Sequence, residues 1–579
     1  MRGDLRARAE EWIAHDPDPQ TQAELRRLLA SSDLSATDLA DRFAGPLEFG
    51  TAGLRGVIGA GQNRMNRAVV LRATWGLARH LKEHAANVTV VVGCDGRRMS
   101  REFAEDTACV LAAEGVHVFL SSDLAPTPLV AFAVKRLGAG AGVMVTASHN
   151  PPEYNGYKVY WGNGAQIVPP VDTAIAAWIE RAPHARDVPR VSVEEARARG
   201  LLEDLGEPME RAYLDAVASL EERSGGDRSI TIVYTPLHGV GAKLAKRALA
   251  EAGFSRVLVV PEQEKPDGAF PTVAFPNPEE KGAMDLAFSL AQKERADLVM
   301  ANDPDADRLA AAVPSADSPT KYVQFTGNQV GALLGHYLLT ERHSSQAKRL
   351  VIASNVSSPL LGVIAAKLGV RYEETLTGFK WIANRAMDLE RDGHVFVFGY
   401  EEALGYTVGD VVRDKDGISA AVVFAELAAM LRARGQTVLG RLEAIYREHG
   451  LFLSSQVNVT KKGVDGASEI RALMTRLRTS APSLVGSHAV MAVSDYESQE
   501  RRGTDGTKGP LHLPRANVLA FELSGGSRII ARPSGTEPKI KFYFDVREEM
   551  RPEESLAEAE TRAKGTMQAL ADAWTRLVS

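Results

Sequence analysis

Residues 88–122 read VTVVVGCDGRRMSREFAEDTACVLAAEGVHVFLSS. The run from Val88 is β-branched and apolar, and it ends in a glycine-containing loop, as a buried strand does. Phe103, Cys109 and Val110 then recur at helical spacing. Ser100 stands where an N-cap is expected, with Glu102 in the first turn. From Val116 a second apolar run, VHVFLSS, reads as the next strand.

The same rhythm returns further along. It is present in SITIVYTPLHGVGAKLAKRALAEAG from Ser229 and in ADLVMANDPDADR from Ala296. It is present again in KRLVIASNVSSPLLGVIAAKLG from Lys348 and in HVFVFGYEEALG from His394. Strands alternating with helices predict α/β layers with largely parallel sheets. The C-terminal part differs. QVNVTKK, AVMAVSDYES, VLAFELSGGSRIIARPS and KIKFYFDV are strands with short connections before a final helix, which predicts an α+β domain. Residues 7–43 read as helical, broken by the prolines of DPDPQ. Boundaries near 215, 325 and 455 divide the chain into units 1–215, 216–325, 326–455 and 456–579. EERSGGDRS at 221–229 suits the first linker.

Bulk properties narrow the function. A length of 579 residues with 45% hydrophobic and 25% charged residues is that of a multidomain globular protein. The net charge of -6 argues against a nucleic-acid binder, which carries a basic excess. It leaves room for a local cationic cluster that holds a phosphate. Two cysteines, Cys94 and Cys109, form no metal or disulfide pattern. The charged N-terminus is no secretory signal, and no apolar run is long enough to span a membrane. A cytoplasmic protein is expected.

Four loops carry candidate chemistry, each beside an apolar strand, where open α/β sheets bind ligands. In VMVTASHNPPEYNGYK (143–158), two prolines stiffen the turn that holds Ser148, a nucleophile if something activates it. His149 is not by itself its dyad partner, because neighbouring side chains in extended chain point apart. In ANDPDADRLA (301–310), Asp303, Asp305 and Asp307 repel one another unless a cation joins them. All-oxygen ligation suits a hard ion. Arg308 and Pro314 stand where an EF-hand needs glycine and an acidic residue, so Mg²⁺ completed by a phosphate oxygen fits better than Ca²⁺. Arg308 also suits a phosphate.

The third element is LTGFKWIANR with FGYEEALGY after it. Glu401 and Glu402 there are either sugar-hydroxyl acceptors or acidic residues at a helix N-terminus. Lys380 is either a phosphate or proton-transfer group or a surface lysine. The fourth is IIARPSGTEPKIKFY (529–543), where Arg532, Ser534, Gly535, Thr536 and Lys541 form a donor-rich strand–loop–strand element suited to an anion. EFGTAGLRG (48–56) places Arg55 in a further candidate anion site.

Taken in order, FGTAGLRG, GCDGRRMS, TASHNPPEYNGYK, DPDADR, TGFKW, GYEEALGY and RPSGTEPK resemble the successive signatures of the α-D-phosphohexomutases, the family of phosphoglucomutase and phosphomannomutase. The resemblance covers nearly the whole chain. It implies four domains, three of related α/β mixed-sheet fold and a C-terminal α+β domain, around a central cleft. The first would hold the N-terminal helical extension and a phosphoserine loop, the second a metal loop, the third a sugar loop and the fourth a phosphate loop.

Ser148 would carry the phosphate. Asp303, Asp305 and Asp307, with the phosphate on Ser148, would hold Mg²⁺. Arg55, His149 and Lys158 would surround the transferring group and Arg308 would support it. Thr377, Gly378, Lys380, Glu401 and Ala403 would meet the sugar. Arg532, Ser534, Gly535 and Thr536 would grip the non-reacting phosphate. The implied reaction converts glucose 1-phosphate to glucose 6-phosphate through glucose 1,6-bisphosphate, and the fourth domain would rotate to close the cleft. Lys158 and Lys380 are both candidates for the proton acceptor.

One departure bears on the sugar. Ala403 stands where many members carry serine, a form that resembles the subgroup with phosphoglucomutases of broader range and phosphopentomutase-like enzymes. YTPLHGVG from Tyr234 points the same way. The alternatives are a phosphomannomutase, a phosphopentomutase or a glucose 1,6-bisphosphate synthase on the same scaffold. A sugar-phosphate-binding protein and a metal-dependent sugar phosphatase are the readings from other classes. The expected partner is a small sugar phosphate, without nucleic acid or membrane, bound by a monomer or weak dimer.

Overall fold

The computed structural model describes residues 2–30, 35–50, 53–84, 88–220, 226–342, 348–461, 466–534 and 539–578. The strand Thr89–Cys94 has Val90, Val91 and Val92 fully buried. Side chains alternate across a strand. Val90 and Val92 join Phe103 and Leu111 of the helix Ser100–Ala113. Val91 joins Val130 and Val134 of the helix Thr127–Leu137 on the other face. A strand covered on both faces can be apolar throughout, which is why its pattern is a run and not an alternation.

The first sheet takes the order Leu54–Val57, Tyr154–Trp161, Ala141–Val145, Thr89–Cys94, His117–Ser121, Leu202–Leu205. The second orders Ser318–Gln324, Ala310–Ser315, Leu298–Ala301, Ile232–Thr235 and Val257–Val259. The third orders Arg371–Thr375, Arg349–Ser354, Val395–Glu401 and Gly405–Val408. All three are largely parallel but mixed: in each, one strand runs against the others. Short connections force this. The loop between Ala141–Val145 and Tyr154–Trp161 is too brief for a crossover, so the chain returns antiparallel. The turn from Glu401 to Gly405 does the same in the third sheet. The fourth sheet, from Leu451–Thr460 to the C-terminal helix Leu556–Val578, is antiparallel in every pairing. The result is the expected four-domain α/β architecture with mixed sheets.

Ser100 does not cap its helix. Met99 occupies the cap position with φ of 65° and no side-chain bond. Ser100 is the first helical residue, and its hydroxyl donates to Asp95 Oδ1 at 2.7 Å. At the N-terminus three helices, Arg2–His15, Pro19–Ala30 and Ser35–Arg42, precede the first sheet. Pro19 opens the second, where a missing N–H costs nothing. Among the described residues no helix is long and apolar enough to cross a membrane.

The apolar core is divided unequally. One cluster runs from Phe132 and Tyr213 through Val233 and Val299 to Leu334, Phe398 and Phe424, so the first three sheets share it. The fourth sheet has its own core around Trp574, Phe521 and Phe542. Two apolar contacts join it to the third domain: the edge of the shared cluster, which takes in Leu451, Phe452, Ala559 and Ala563, and a small patch with Val356, Leu376, Tyr496, Ile530 and Tyr543. Arg528 adds a polar tie: it bonds Asp545 Oδ2 at 2.6 Å on its own sheet, and Glu374 Oε1 at 3.1 Å and the Ser357 carbonyl on the third domain.

Trp574 is fully buried in that separate core. Trp574→Ala is expected to cost the fourth domain about 3–5 kcal/mol. In denaturant unfolding of the full chain followed by circular dichroism, an early transition splits away while the main one stays in place. A single transition shifted as a whole would count against independent cores.

Candidate active site

The site is built where strands end. Ala141–Val145 runs out into Thr146–Asn150, and Ser148 takes φ of 53°. A left-handed serine needs support, because side chains there crowd the following carbonyl. Arg97 supplies it. Its guanidinium donates to the carbonyls of Ser148 (2.6 Å), Pro151 (2.8 Å), Tyr154 (3.2 Å) and Asn150. Asp95, at the end of the decisive strand, accepts from Thr146 Oγ1 at 2.6 Å, and Thr146 Oγ1 accepts from the Ser148 N–H at 2.8 Å. The two prolines therefore stiffen a loop that Arg97 and Asp95 also hold from within.

The positive φ has a chemical result. It turns the backbone so that Ser148 Oγ lies 3.2 Å from His149 Nδ1, although the two are neighbours in sequence. The expectation that they point apart assumed extended chain and is corrected here. Burial, with Arg308 and Arg55 nearby, holds His149 well below its ordinary pKa, so the ring is neutral.

Ser148 is itself buried and donates to Asp303 Oδ2 at 2.7 Å. Asp303 follows the strand Leu298–Ala301 of the second sheet. Asp303, Asp305 and Asp307 are essentially unexposed, and one oxygen from each lies within 4.8 Å of the others. Ala306, at φ of 58°, folds the loop so that alternate residues face the same point. Burial, then the charges of Asp305 and Asp307, raises Asp303 well above the usual carboxylate range. Asp305 Oδ1 and Asp307 Oδ1 are buried without any hydrogen-bond partner. Orphaned carboxylate oxygens beside a third carboxylate are what a hard cation satisfies, so the triad fits a metal ion.

Cations of this chain surround the triad. Lys158 Nζ lies 2.7 Å from Asp305 and 2.9 Å from Asp307. Burial opposes its charge, but the two aspartates outweigh it and raise its pKa. Lys415 reaches Asp307 at 3.2 Å. Arg308 Nε, buried and without a hydrogen bond, lies 3.7 Å from Asp303 and 3.8 Å from Asp307. Arg55 pairs with Gly156 across the first sheet and donates to Asn150 Oδ1 at 3.0 Å. Burial lowers its pKa to about 10.

The third-domain loop lies beside these groups. Arg308 bridges to Gly405, and the Leu309 N–H donates to the Leu404 carbonyl at 3.1 Å. Glu401 ends the strand Val395–Glu401 and turns into a hairpin, so the helix N-terminus reading fails. Its Oε1 accepts from the Gly378 N–H at 2.7 Å. Glu402 points away and accepts from Ser354 and Ser357 at 3.2 and 3.3 Å, so the two glutamates do not act as a pair. Thr377 Oγ1 is buried and unpartnered. Lys380 is buried, not a surface lysine, and contacts the Gly50 carbonyl at 3.4 Å. Ala403 sits in the hairpin turn, partly exposed.

Arg532 pairs with Lys541 between the fourth sheet's strands Arg528–Pro533 and Lys539–Glu548, and the Ser534 N–H donates to the Lys539 carbonyl at 2.7 Å. Gly535 and Thr536 lie outside the described residues. Burial and Glu402 push Tyr543 up to about 12 while Arg532 opposes them, which sets this corner of the fourth domain against the third-domain loop.

Four consecutive stretches match models of one family. Residues 46–186, 211–316 and 326–449 match the phosphoglucomutase/phosphomannomutase alpha/beta/alpha domains I, II and III, and 469–563 match the C-terminal domain. The chain belongs to the phosphoglucomutase/phosphomannomutase family. It is 44% identical to a family protein of Haemophilus influenzae named a probable phosphomannomutase, over 83% of this chain and 93% of that one. It is 36% identical to the phosphopentomutase of Mus musculus, over 93% and 89%. It is 36% identical to the phosphoglucomutase of Staphylococcus haemolyticus, over 87% and 91%. The protein is thus a phosphohexomutase-family isomerase with a buried carboxylate triad that could hold a metal ion.

Sequence reasoning missed several residues that surround Ser148 and the triad. Asp95 and Arg97 stood inside GCDGRRMS without a role. Thr127, whose hydroxyl donates to Asp305 Oδ2 at 2.7 Å, gave no signal at all. Lys415, in VVRDKDG, gave none either.

Glu401 yields a pH prediction. Burial, opposed by Lys415 and reinforced by Glu402, raises its pKa from 4.5 to about 7. Between these values the folded state holds a proton that the unfolded state has lost, so stability falls as pH rises. The fall is about 3 kcal/mol in all. Glu401→Gln lacks it. Unfolding free energies at about pH 5 and about pH 8 are therefore expected to show the variant gaining on wild type at the higher pH. A constant difference would contradict the burial of this charge.

Proposed function

We propose that the protein is a phosphoglucomutase that interconverts α-D-glucose 1-phosphate and glucose 6-phosphate, with Ser148 as phosphate carrier and glucose 1,6-bisphosphate as intermediate and activator. The observation that carries the reaction class is Ser148 Oγ, buried on a clamped loop, 2.7 Å from a metal-binding carboxylate.

The phosphoryl group on Ser148 Oγ passes to a free sugar hydroxyl. The P–O bond to serine breaks, and the hydroxyl gives its proton to a base. The bisphosphate turns over in the cleft, and its other phosphoryl group returns to Ser148. Mg²⁺, held by Asp303, Asp305, Asp307 and a phosphate oxygen, supplies charge stabilisation when bound. Arg55 and Arg308 meet the charge of the transferring group, and neutral His149 orients the Ser148 oxygen. Lys158 is kept protonated by Asp305 and Asp307, so it serves as a cation. Burial disfavours the charge of Lys380, which suits it to accept the proton. Glu401, Thr377 and Gly378 orient sugar hydroxyls, and Arg532 with Ser534, Gly535 and Thr536 grips the distal phosphate.

Burial of Ser148 and the triad favours transfer over hydrolysis, because water is kept from the phosphoryl group. The second reading is a mutase for mannose or pentose phosphates. The names of the Haemophilus and mouse relatives favour it, as does Ala403, whose methyl group offers a sugar hydroxyl no hydrogen bond.

The assay supplies glucose 1-phosphate, Mg²⁺ and a trace of the bisphosphate, and follows glucose 6-phosphate. Product formation faster than with mannose 1-phosphate or ribose 1-phosphate is expected. A faster rate with either competitor transfers the assignment to that sugar, and release of free phosphate indicates a phosphatase. Ser148→Ala is expected to lower kcat by at least about 10³-fold with an unchanged thermal midpoint. Activity near wild type in that variant would sink the carrier role.

A further inference from the structure

Among the described residues a second group is arranged to hold a metal: His336, Glu448 and His449. His336 lies in the helix Gly327–Thr340, and Glu448 and His449 end the helix Val438–His449. One ligand atom from each lies within 4.8 Å of the others. The two imidazole rings stand 6.2 Å apart, edge to face.

Three details point to a ligand. The His449 side chain is 2% exposed, and its Nδ1 is buried with no hydrogen-bond partner. Its Nε2 faces Glu448 Oε1 at 3.8 Å, beyond hydrogen-bond reach. Thr340 fixes the other ring. Its hydroxyl donates to the His336 carbonyl at 2.7 Å, and its oxygen lies 3.4 Å from His336 Nδ1. With the hydroxyl proton committed, that oxygen accepts from Nδ1–H and leaves the Nε2 lone pair open, as partners of ligating histidines do. Burial, with Arg441 and His449 nearby, holds His336 down to about 4, so the ring is neutral.

Two imidazoles and one carboxylate are the donor set of zinc-class ions, not of Mg²⁺ or Ca²⁺. The present partner of Glu448 is Lys367, at 3.0 Å. Both of those side chains are about half exposed, so the contact is weak and exchangeable. Bonds of about 2.0–2.2 Å to one ion require the ligand atoms to draw together. Glu448, at a helix end facing solvent, is free to turn.

We propose that His336, Glu448 and His449 form a site for a zinc-class divalent ion, separate from the Asp303–Asp307 triad. Its place gives it an effect. Gly450, at φ of 93°, follows His449 directly and hands the chain to the strand Leu451–Thr460 of the fourth sheet. An ion here fastens the last helical turn before that junction to the helix Gly327–Thr340.

The test titrates Zn²⁺ into the full-length protein in excess Mg²⁺, by calorimetry and by thermal midpoint, with Co²⁺ as a spectroscopic substitute. Wild type is expected to bind Zn²⁺ at this site with a raised midpoint, and Asp303→Asn to keep that binding. His336→Ala and Glu448→Gln are expected to weaken it at least about tenfold. Both positions are partly exposed, and circular dichroism checks that each variant folds. If His336→Ala does not fold, Glu448→Gln decides. Zn²⁺ binding that is absent in wild type, lost in Asp303→Asn, or unchanged in the folded His336 and Glu448 variants overturns the proposal.

Discussion

Three buried carboxylates at one point are the constraint to which the rest of the molecule answers. Asp303, Asp305 and Asp307 come from the second sheet, as does Arg308 beside them, but their nearest partners do not. Lys158 comes from the first sheet, Lys415 from the segment after the third, and Thr127 from a helix of the first. The charge cluster is therefore an inter-domain joint as well as a candidate metal site. Such a cluster is weak evidence for stability, because desolvation of each charge offsets much of the attraction. Its value lies in specificity: only one docking of the first three domains brings every charge a partner.

Around that joint the sequence was legible in some places and silent in others, for physical reasons. Thr89–Cys94 was legible because a strand covered on both faces must be apolar at every position. The Asp303–Asp307 spacing was legible because three alternate carboxylates at the end of such a strand repel one another until a cation joins them. Ser100 was misread: its hydroxyl serves Asp95, a partner close in sequence whose role exists only once the loop has closed. His149 was misread because one positive φ at Ser148 reverses where neighbouring side chains point, and no periodicity encodes that. Thr127 and Lys415 were invisible because their partners lie far away in the chain.

The mixed sheets teach the same lesson about connections. The strands themselves were read from their apolar runs. Their directions depended on loop lengths, as in the return at Tyr154–Trp161 and the hairpin after Glu401. That hairpin also separated Glu401 from Glu402, turning one carboxylate toward the Gly378 N–H and the other toward two serines.

The unequal division of the core has a consequence for how such a chain can be recombined. The first three domains share one apolar cluster and one charge cluster, so exchanging any of them alone with a relative breaks complementary surfaces on two sides. The fourth meets its neighbour through the edge of that cluster at Leu451, Phe452, Ala559 and Ala563, a small patch and the Arg528 contacts. It is the least entangled unit of exchange: a chimera joined just after Gly450 disturbs the edge of the shared cluster and these contacts, whereas a joint at either earlier boundary cuts through the middle of the packed interior.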